Sequence, residues 1–376
     1  MTTITISRTD TSILGRWWWT VDRWLLAAVL ALIGIGIFLV MAAGPAAAGR
    51  IGAEAFHFVR RQFVFLPVAI GVMLVVSLMA PRTVRRLAAV GFGVTALMLF
   101  ATLFIGTEIK GAARWIHIGP LSIQPSEFIK PFFAVTAAWM FSAGRENEGF
   151  PGQWIAIGLY AMVALLLLAQ PDVGMTLVVS AVWAAQFFLA GLPMVLVVLF
   201  VAAGLGAAVG AYFLFDHVKS RIDRFLDPAS GDTYQIDKAM QAFRDGGLFG
   251  RGPGEGRVKE LLPDAHTDFI FAVAGEEFGL ILCIFIVGLF AFIVLRGIAR
   301  AMEEDNLFVL LAVGGLVSQF GLQALINMAS SLHLMPTKGM TLPFVSYGGS
   351  STLALALGFG MMLALTRRRP TGGGGV

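Results

Sequence analysis

Apolar runs of about twenty residues, long enough to cross a membrane as helices, recur along almost the whole of this chain. They fall near 24–43, 62–80, 86–105, 127–143, 154–170, 173–191, 193–215, 269–295, 307–331 and 343–366. Inside lipid, only a structure that satisfies its own backbone hydrogen bonds is admissible. The pattern predicts an all-α polytopic membrane protein of about ten transmembrane helices, or nine if the pair interrupted by QPDVG (170–174) is one broken helix. Composition agrees: 57% of the 376 residues are hydrophobic, 13% are charged, and mean hydropathy is +0.82, which leaves no room for a large soluble domain. Trp17 to Trp19 precede the first run and suit the headgroup layer. No small-residue cleavage site follows a short apolar stretch, so the first run reads as an anchor. The single cysteine, Cys283, excludes an intrachain disulfide and a cysteine-based zinc site.

This reading divides the chain into a segment 1–23, one membrane domain 24–366 and a tail 367–376, with one large extracytoplasmic loop, 216–268, between the seventh and eighth runs. With ten spans both termini share a side. That side carries Arg8, Arg16, Arg23, Arg82, Arg85, Arg86, Arg145, Arg296, Arg300 and Arg367 to Arg369, whereas the short loops opposite carry Arg50, Arg60, Arg61, Lys110, Arg114 and Lys338. The excess places both termini in the cytoplasm, the eight basic residues of 216–268 being mostly far from a helix end. Within that loop, Ile236, Ala239, Met240 and Phe243 predict an amphipathic helix near 233–244, lying along the outer membrane surface and stopped by Gly246 and Gly247. GLFGRGPGEGR (247–257) lacks the GK[ST] of a phosphate-binding loop and reads as a flexible connector, and TGGGGV as a disordered tail. No basic stripe is interleaved with aromatics, so nucleic acid is not an expected partner.

Four short polar motifs, each with a proline, interrupt the apolar pattern: GAARWIHIGPLSIQPSEFIK (111–130), QPDVGMT (170–176), LLPDAHTDF (261–269) and MPTKGMTLPFVSYGGSS (335–351). Counting spans puts all four on the side opposite the termini, which implies a polar site at the outer rim, open to water and to the outer leaflet. Its cations are Arg114, Lys130 and Lys338, and its carboxylates are Glu127, Asp172 and Asp268. A carboxylate can take a proton from an attacking hydroxyl, and Arg or Lys can neutralise a departing diphosphate. The inventory suits transfer chemistry on a phosphorylated lipid; it also suits ion-coupled transport.

Each residue has a structural alternative. Glu127 and Lys130, three apart on a helix, read as a buried ion pair. Thr267 and Asp268 are N-cap types at the start of a run, so capping competes with catalysis. Arg114 and Trp115 suit interface anchoring, Lys338 suits a solvated turn, and Ser346, Ser350 and Ser351 beside Gly348 and Gly349 suit close helix packing. The five histidines show no metal-ligand spacing. Glu276 and Glu277 follow Asp268 by eight and nine residues, cannot both share its helix face, and read as internal wiring with a protein partner.

RWIHIGPLSIQPSEFIK, QPDVGMT, PDAHTDFIFAVAGEEFG and MPTKGMTLPFVSYGGSS closely resemble, in order and over nearly the whole chain, the signature motifs of the SEDS family (shape, elongation, division and sporulation). The lysine of PTKG makes the chain more similar to the division-type members than to the elongation-type ones. The resemblance implies a ten-helix glycosyltransferase of the bacterial cytoplasmic membrane that polymerises lipid II into peptidoglycan strands at the septum. It implies a class B penicillin-binding protein as transpeptidase partner, together with other divisome proteins. It marks Asp268 as the catalytic base, Arg114, Trp115, Lys338 and Asp172 as substrate-binding, and Glu127 with Lys130 as a structural ion pair. No cofactor is certain, and a divalent cation between carboxylate and diphosphate stays open. The rival functions are a lipid II flippase or transporter and a noncatalytic divisome scaffold. A transporter calls for polar residues continuing across the membrane, and the inner loops AGLP (190–193) and LRGIARAMEEDN (295–306) carry no comparable cluster.

Overall fold

A computed structural model describes residues 12–109, 112–119, 121–191, 194–227 and 233–368. The expectations resting on Arg8, Lys110, Arg369 and the TGGGGV tail lie outside the described residues. The chain forms helices α1 (Ile13–Thr20), α2 (Arg23–Arg50), α3 (His57–Ser77), α4 (Pro81–Ile105), α5 (Pro125–Glu146), α6 (Gly152–Ala169), α7 (Val173–Leu189), α8 (Met194–Leu214), α9 (Asp216–Leu226), α10 (Tyr234–Gly246), α11 (Val258–Leu261), α12 (Ile270–Met302), α13 (Leu307–Ser331) and α14 (Gly349–Leu365). Each apolar run of the sequence becomes a helix, that of α12 being broken at Gly279. Among the described residues six of them, α2, α3, α4, α6, α12 and α13, are long and apolar enough to cross a bilayer alone. Of the others, α5 carries Glu127 and Lys130, α7 and α14 have 17 residues each, and α8 with α9 forms a further candidate span bent by 99°. The last run starts at Gly349 rather than at 343 because 343–348 is a non-helical loop.

Helices α5, α13 and α14 are buried nearly all round and form the centre, which is what apolarity on every face requires of a membrane helix. Small residues let them approach closely: a Cβ at Gly360 would come within 2.7 Å of the Met73 carbonyl on α3, and one at Gly91 on α4 within 2.4 Å of the Phe132 ring on α5.

The two ends of the bundle differ. At one end the N-terminal segment, the end of α12 and the last described residues are tied together. Buried Asp22 caps α2 and pairs with Arg296 (2.8 Å) and Arg300 (2.9 Å), while Arg367 donates to the Thr20 hydroxyl at 3.0 Å. Burial raises the Asp22 pKa, but hydrogen bonds from the two arginines outweigh it and hold the carboxyl below its usual value. The opposite end holds the polar motifs. There the segment 107–123 forms an antiparallel meander, β1 (Thr107–Ile109), β2 (Ala112–Ile118) and β3 (Leu121–Ile123), which the all-helical reading did not foresee.

The helix expected near 233–244 forms as α10. It packs on the first half of α12 through Ala239, Ala242 and Gly246, with the Phe243 ring over Gly275. One expectation for the large loop is corrected: GLFGRGPGEGR is not a flexible connector. Helix α12 breaks at Gly279 (φ 75°), which frees backbone groups on both sides, and residues 247–252 pair with them. Arg251 and Gly252 donate to the carbonyls of Glu276 and Glu277 at 2.9 Å each, and Leu280 donates to Gly247, also at 2.9 Å. A broken helix at membrane depth needs such a backbone partner, because lipid supplies none.

Candidate functional site

The Glu276 carboxylate, fully buried, accepts from the backbone N–H groups of Arg257 and Val258 (2.7 Å each) and Lys259 (2.9 Å), and so holds the N-terminus of α11. Glu277 pairs with the Lys259 ammonium. Both therefore have protein partners, and these lie in the large loop, which the pair clamps onto α12. Beyond this clamp, residues 262–269 form a turn that carries Asp268. The N-cap of α12 is Phe269, which makes no side-chain cap hydrogen bond. Thr267 turns back to the Asp264 carbonyl at 3.2 Å.

The turn is fixed from several sides. Asn327 on α13 donates to the Asp268 carbonyl at 2.9 Å and to the Met340 carbonyl at 2.6 Å. Ser346 donates to the Thr267 carbonyl at 2.6 Å, and Tyr347 N–H to the His266 carbonyl at 2.9 Å. The His266 ring packs with Phe58 and Tyr347 in one aromatic cluster, with centroids 4.1 and 5.5 Å away and those of Phe58 and Tyr347 5.1 Å apart. Burial pushes its pKa down to about 4, only partly offset by Asp264, which favours the neutral ring at physiological pH. The half-buried Asp268 side chain lies against Gly339: a Cβ there would sit 3.1 Å from Oδ2, and Gly339 also has φ +64°, which favours glycine.

Lys338 precedes Gly339 and reaches the QPDVG motif. Its stem runs directly over Gly174, where a Cβ would lie 1.7 Å from Cε, and Nζ is buried without a hydrogen-bond partner among the described residues. Burial pushes its pKa down to about 7; Asp172 and Glu127 raise it, and Lys130 and Arg114 lower it. Asp172 is itself committed. It caps α7 by accepting from Met175 N–H at 3.2 Å and lies 3.6 Å from Arg114 Nε, while Arg114 Nη2 donates to the Pro171 carbonyl at 2.9 Å. Thus Arg114, Asp172, Lys338 and Asp268 come together. Trp115 is separated from Arg114 because neighbouring strand residues leave opposite faces of β2.

Glu127 and Lys130 form the expected buried pair at 3.0 Å, but they are part of a longer network. Lys130 Nζ also donates to Gln323 Oε1 at 3.0 Å, and Gln323 Nε2 donates to the Thr341 carbonyl at 3.2 Å. The Thr341 and Ser351 hydroxyls are 2.7 Å apart, and Ser350 donates to the Ser122 carbonyl at 3.0 Å. The serines of SYGGSS are thus hydrogen-bonded connectors as well as small packing residues, a role the packing expectation omitted. Gln323 and Asn327 also escaped the sequence reading. The available signal was Gln319, Gln323 and Asn327 at four-residue spacing, a polar stripe on one face of an intramembrane helix. Arg221 on α9 was missed too. It lies within electrostatic range of Arg114, Asp172 and Asp268, and only the bend after α8 brings it there.

The family model described as cell cycle protein, FtsW/RodA/SpoVE, matches residues 23–370. The chain is a member of the FtsW/RodA/SpoVE family. A relative named probable peptidoglycan glycosyltransferase FtsW from Caulobacter vibrioides (strain NA1000) is 49% identical, covering 97% of this chain and 94% of its own. One of the same name from Escherichia coli O157:H7 is 33% identical over 92% of this chain and 85% of its own. Among solved structures, a chain from work on structural coordination of polymerization and crosslinking by a peptidoglycan synthase complex superposes with a TM-score of 0.75 at 28% identity, covering 92% of this chain and 97% of that one. The rod shape determining protein RodA of Thermus thermophilus gives 0.67 at 28% identity, covering 93% and 97%.

Proposed function

We propose that this multi-pass membrane protein is a peptidoglycan glycosyltransferase that polymerises lipid II into glycan strands. The observation that carries this reading is the half-buried Asp268 carboxylate seated against Gly339, next in sequence to Lys338, whose buried ammonium has no hydrogen-bond partner among the described residues. A base on the turn 262–269 and an anion-seeking cation on the MPTKG loop thus meet at the end of the bundle where the polar motifs gather. The names of the relatives and of the synthase complex support the same activity.

In the proposed reaction, the 4-hydroxyl of the N-acetylglucosamine on an acceptor lipid II attacks C1 of the N-acetylmuramic acid on the donor. Asp268 accepts the hydroxyl proton as the O4–C1 bond forms. The C1–O bond to the diphosphate breaks, and its electron pair leaves with undecaprenyl diphosphate. Attack from the opposite face inverts C1 from α to β. Arg114, oriented by Asp172 and the Pro171 carbonyl, and Lys338, aimed over Gly174, stabilise the leaving charge. The approach of a diphosphate favours the charged form of Lys338 and so counters the burial that lowers its pKa. Trp115 is assigned to the headgroup rim. Among the described residues no group of three or more His, Cys, Asp or Glu is arranged to hold a metal, and no step is routed through one.

The same reading takes ten spans, both termini in the cytoplasm, a site at the outer headgroup level, and work at the division septum with a class B penicillin-binding protein and other divisome proteins. The arginines collected with Asp22 at the terminal end support that orientation. The test is to purify the full chain with its transpeptidase, supply lipid II, and separate the glycan products. Asp268→Ala and Asp268→Asn should abolish polymer while the complex persists. Polymer at the wild-type rate would refute the base, and translocation of lipid II without polymer would replace the reading with a flippase.

A further inference from the structure

Asp268 and Lys338 reach the site on separate segments, the turn before α12 and the MPTKGM loop after α13. The proposed transfer needs one fixed separation between them, so a group must join the two backbones. The bonds from Ser346 to the Thr267 carbonyl and from Tyr347 to the His266 carbonyl join the turn to the far end of that loop, not to the Lys338 end. There the junction is bridged by the side chain of Asn327. Its single carboxamide nitrogen spends one N–H on the Asp268 carbonyl and the other on the Met340 carbonyl, 2.9 and 2.6 Å away. One accepting residue bears the base, and the other lies two positions past Lys338.

Asn327 is 2% exposed on α13, so it acts on these backbones rather than on a ligand. Both neighbours are acceptors, which fixes the nitrogen toward them: the reversed amide would set Oδ1 against two carbonyls. Oδ1 itself is buried and accepts from none of the described residues, so the side chain's hydrogen bonds are the two that span the junction. One turn earlier on the same face, Gln323 donates to the Thr341 carbonyl at 3.2 Å. Two amides on one buried helix thus grip consecutive carbonyls of the loop, and of the two it is Asn327 that also grips the turn. Gln186 on α7 shows the same device away from the site. Fully buried, it donates to the Ala134 and Leu311 carbonyls at 2.6 and 3.0 Å and so joins helix to helix.

We infer that Asn327 is a positioning residue for the transfer reaction, which sets the Asp268 carboxylate relative to the Lys338 ammonium by holding both backbones on α13. The inference rests on the glycosyltransferase reading. Asn327→Leu keeps a similar volume and removes both donors, and Gln186→Leu does the same away from the site. Each is purified as the full complex with its transpeptidase, and melting temperature, kcat and KM for lipid II are measured on one preparation. Both should lower the melting temperature. Only Asn327→Leu should also lower kcat, by about 10–100-fold as base and cation drift by about 1 Å, with KM within about threefold of wild type. In a Lys338→Ala background the further loss should be smaller than that factor, because both substitutions act on one separation. Equal changes of kcat in the two leucine variants, or losses that multiply with Lys338→Ala, would make Asn327 merely structural and overturn the inference. If Asn327→Leu does not assemble, Asn327→Gln decides, since it keeps both donors on a longer stem. A lower kcat at wild-type melting temperature then supports positioning, and an unchanged kcat refutes it. No polymer from the wild-type complex would refute the glycosyltransferase reading and the inference with it, whereas polymer from wild type with undiminished kcat in Asn327→Leu removes the inference alone.

Discussion

Gly174→Ala separates the positioning of Lys338 from the stability of the fold. Gly174 lies in the first turn of α7, and a methyl there would sit 1.7, 2.5 and 2.7 Å from Lys338 Cε, Cδ and Cγ. Ordinary contact begins near 3.4 Å, so Cε must retreat by about 1.7 Å, and Nζ, one bond further on, moves with it. The obstructing atoms belong to a flexible side chain, so the backbone need not shift. Alanine also favours a helix over glycine by up to about 1 kcal/mol. Thermal stability should therefore be unchanged or slightly raised. Catalysis should not be, because a misplacement of about 1 Å can cost on the order of 100-fold in rate. The assay is lipid II polymerisation by the full complex, with melting temperature measured on the same preparation. Expected are a loss of about 100-fold at unaltered melting temperature, and no further loss when Gly174→Ala is added to Lys338→Ala, since both act through one ammonium. Full activity in Gly174→Ala, or losses that simply multiply in the double variant, would refute the path drawn for Lys338.

Lys338 also sets a pH dependence. With its pKa near 7 against an ordinary 10.5, the free protein loses this charge as pH rises through about 7, so kcat/KM for lipid II should fall on the alkaline side with a break near that value. The stability effect has the opposite sign: the unfolded chain binds the extra proton between about 7 and 10.5, so the burial penalty is fullest below 7 and fades as pH rises. Glu276→Ala orphans three backbone donors and should destabilise the protein by about 3 kcal/mol or more, read as a lower melting temperature and faster proteolysis within 251–260. Lys130→Ala strands the buried Glu127 carboxylate at a cost of about 3–5 kcal/mol, whereas Glu127→Gln with Lys130→Met should be milder, as comparative melting would report.

The apolar runs alone determined the long helices, because lipid forces each one to satisfy its own backbone and so makes the fold class a matter of local composition. The four motifs were equally legible, and the register of Glu276 and Glu277 against Asp268 excluded a single acidic cluster because helical geometry is fixed by residue spacing. Tertiary structure decided what spacing does not encode. Asp268 was legible as a rim carboxylate, but only the fold seated it against Gly339 beside Lys338, and the glycine-rich segment looked flexible until the break at Gly279 was seen to need its backbone groups. Gln323, Asn327 and Arg221 acquire their roles from partners up to about two hundred residues away, such as Lys130 for Gln323. A side chain's chemistry can be read from the sequence, but the group it will meet is set by which helices pack together and where the chain bends.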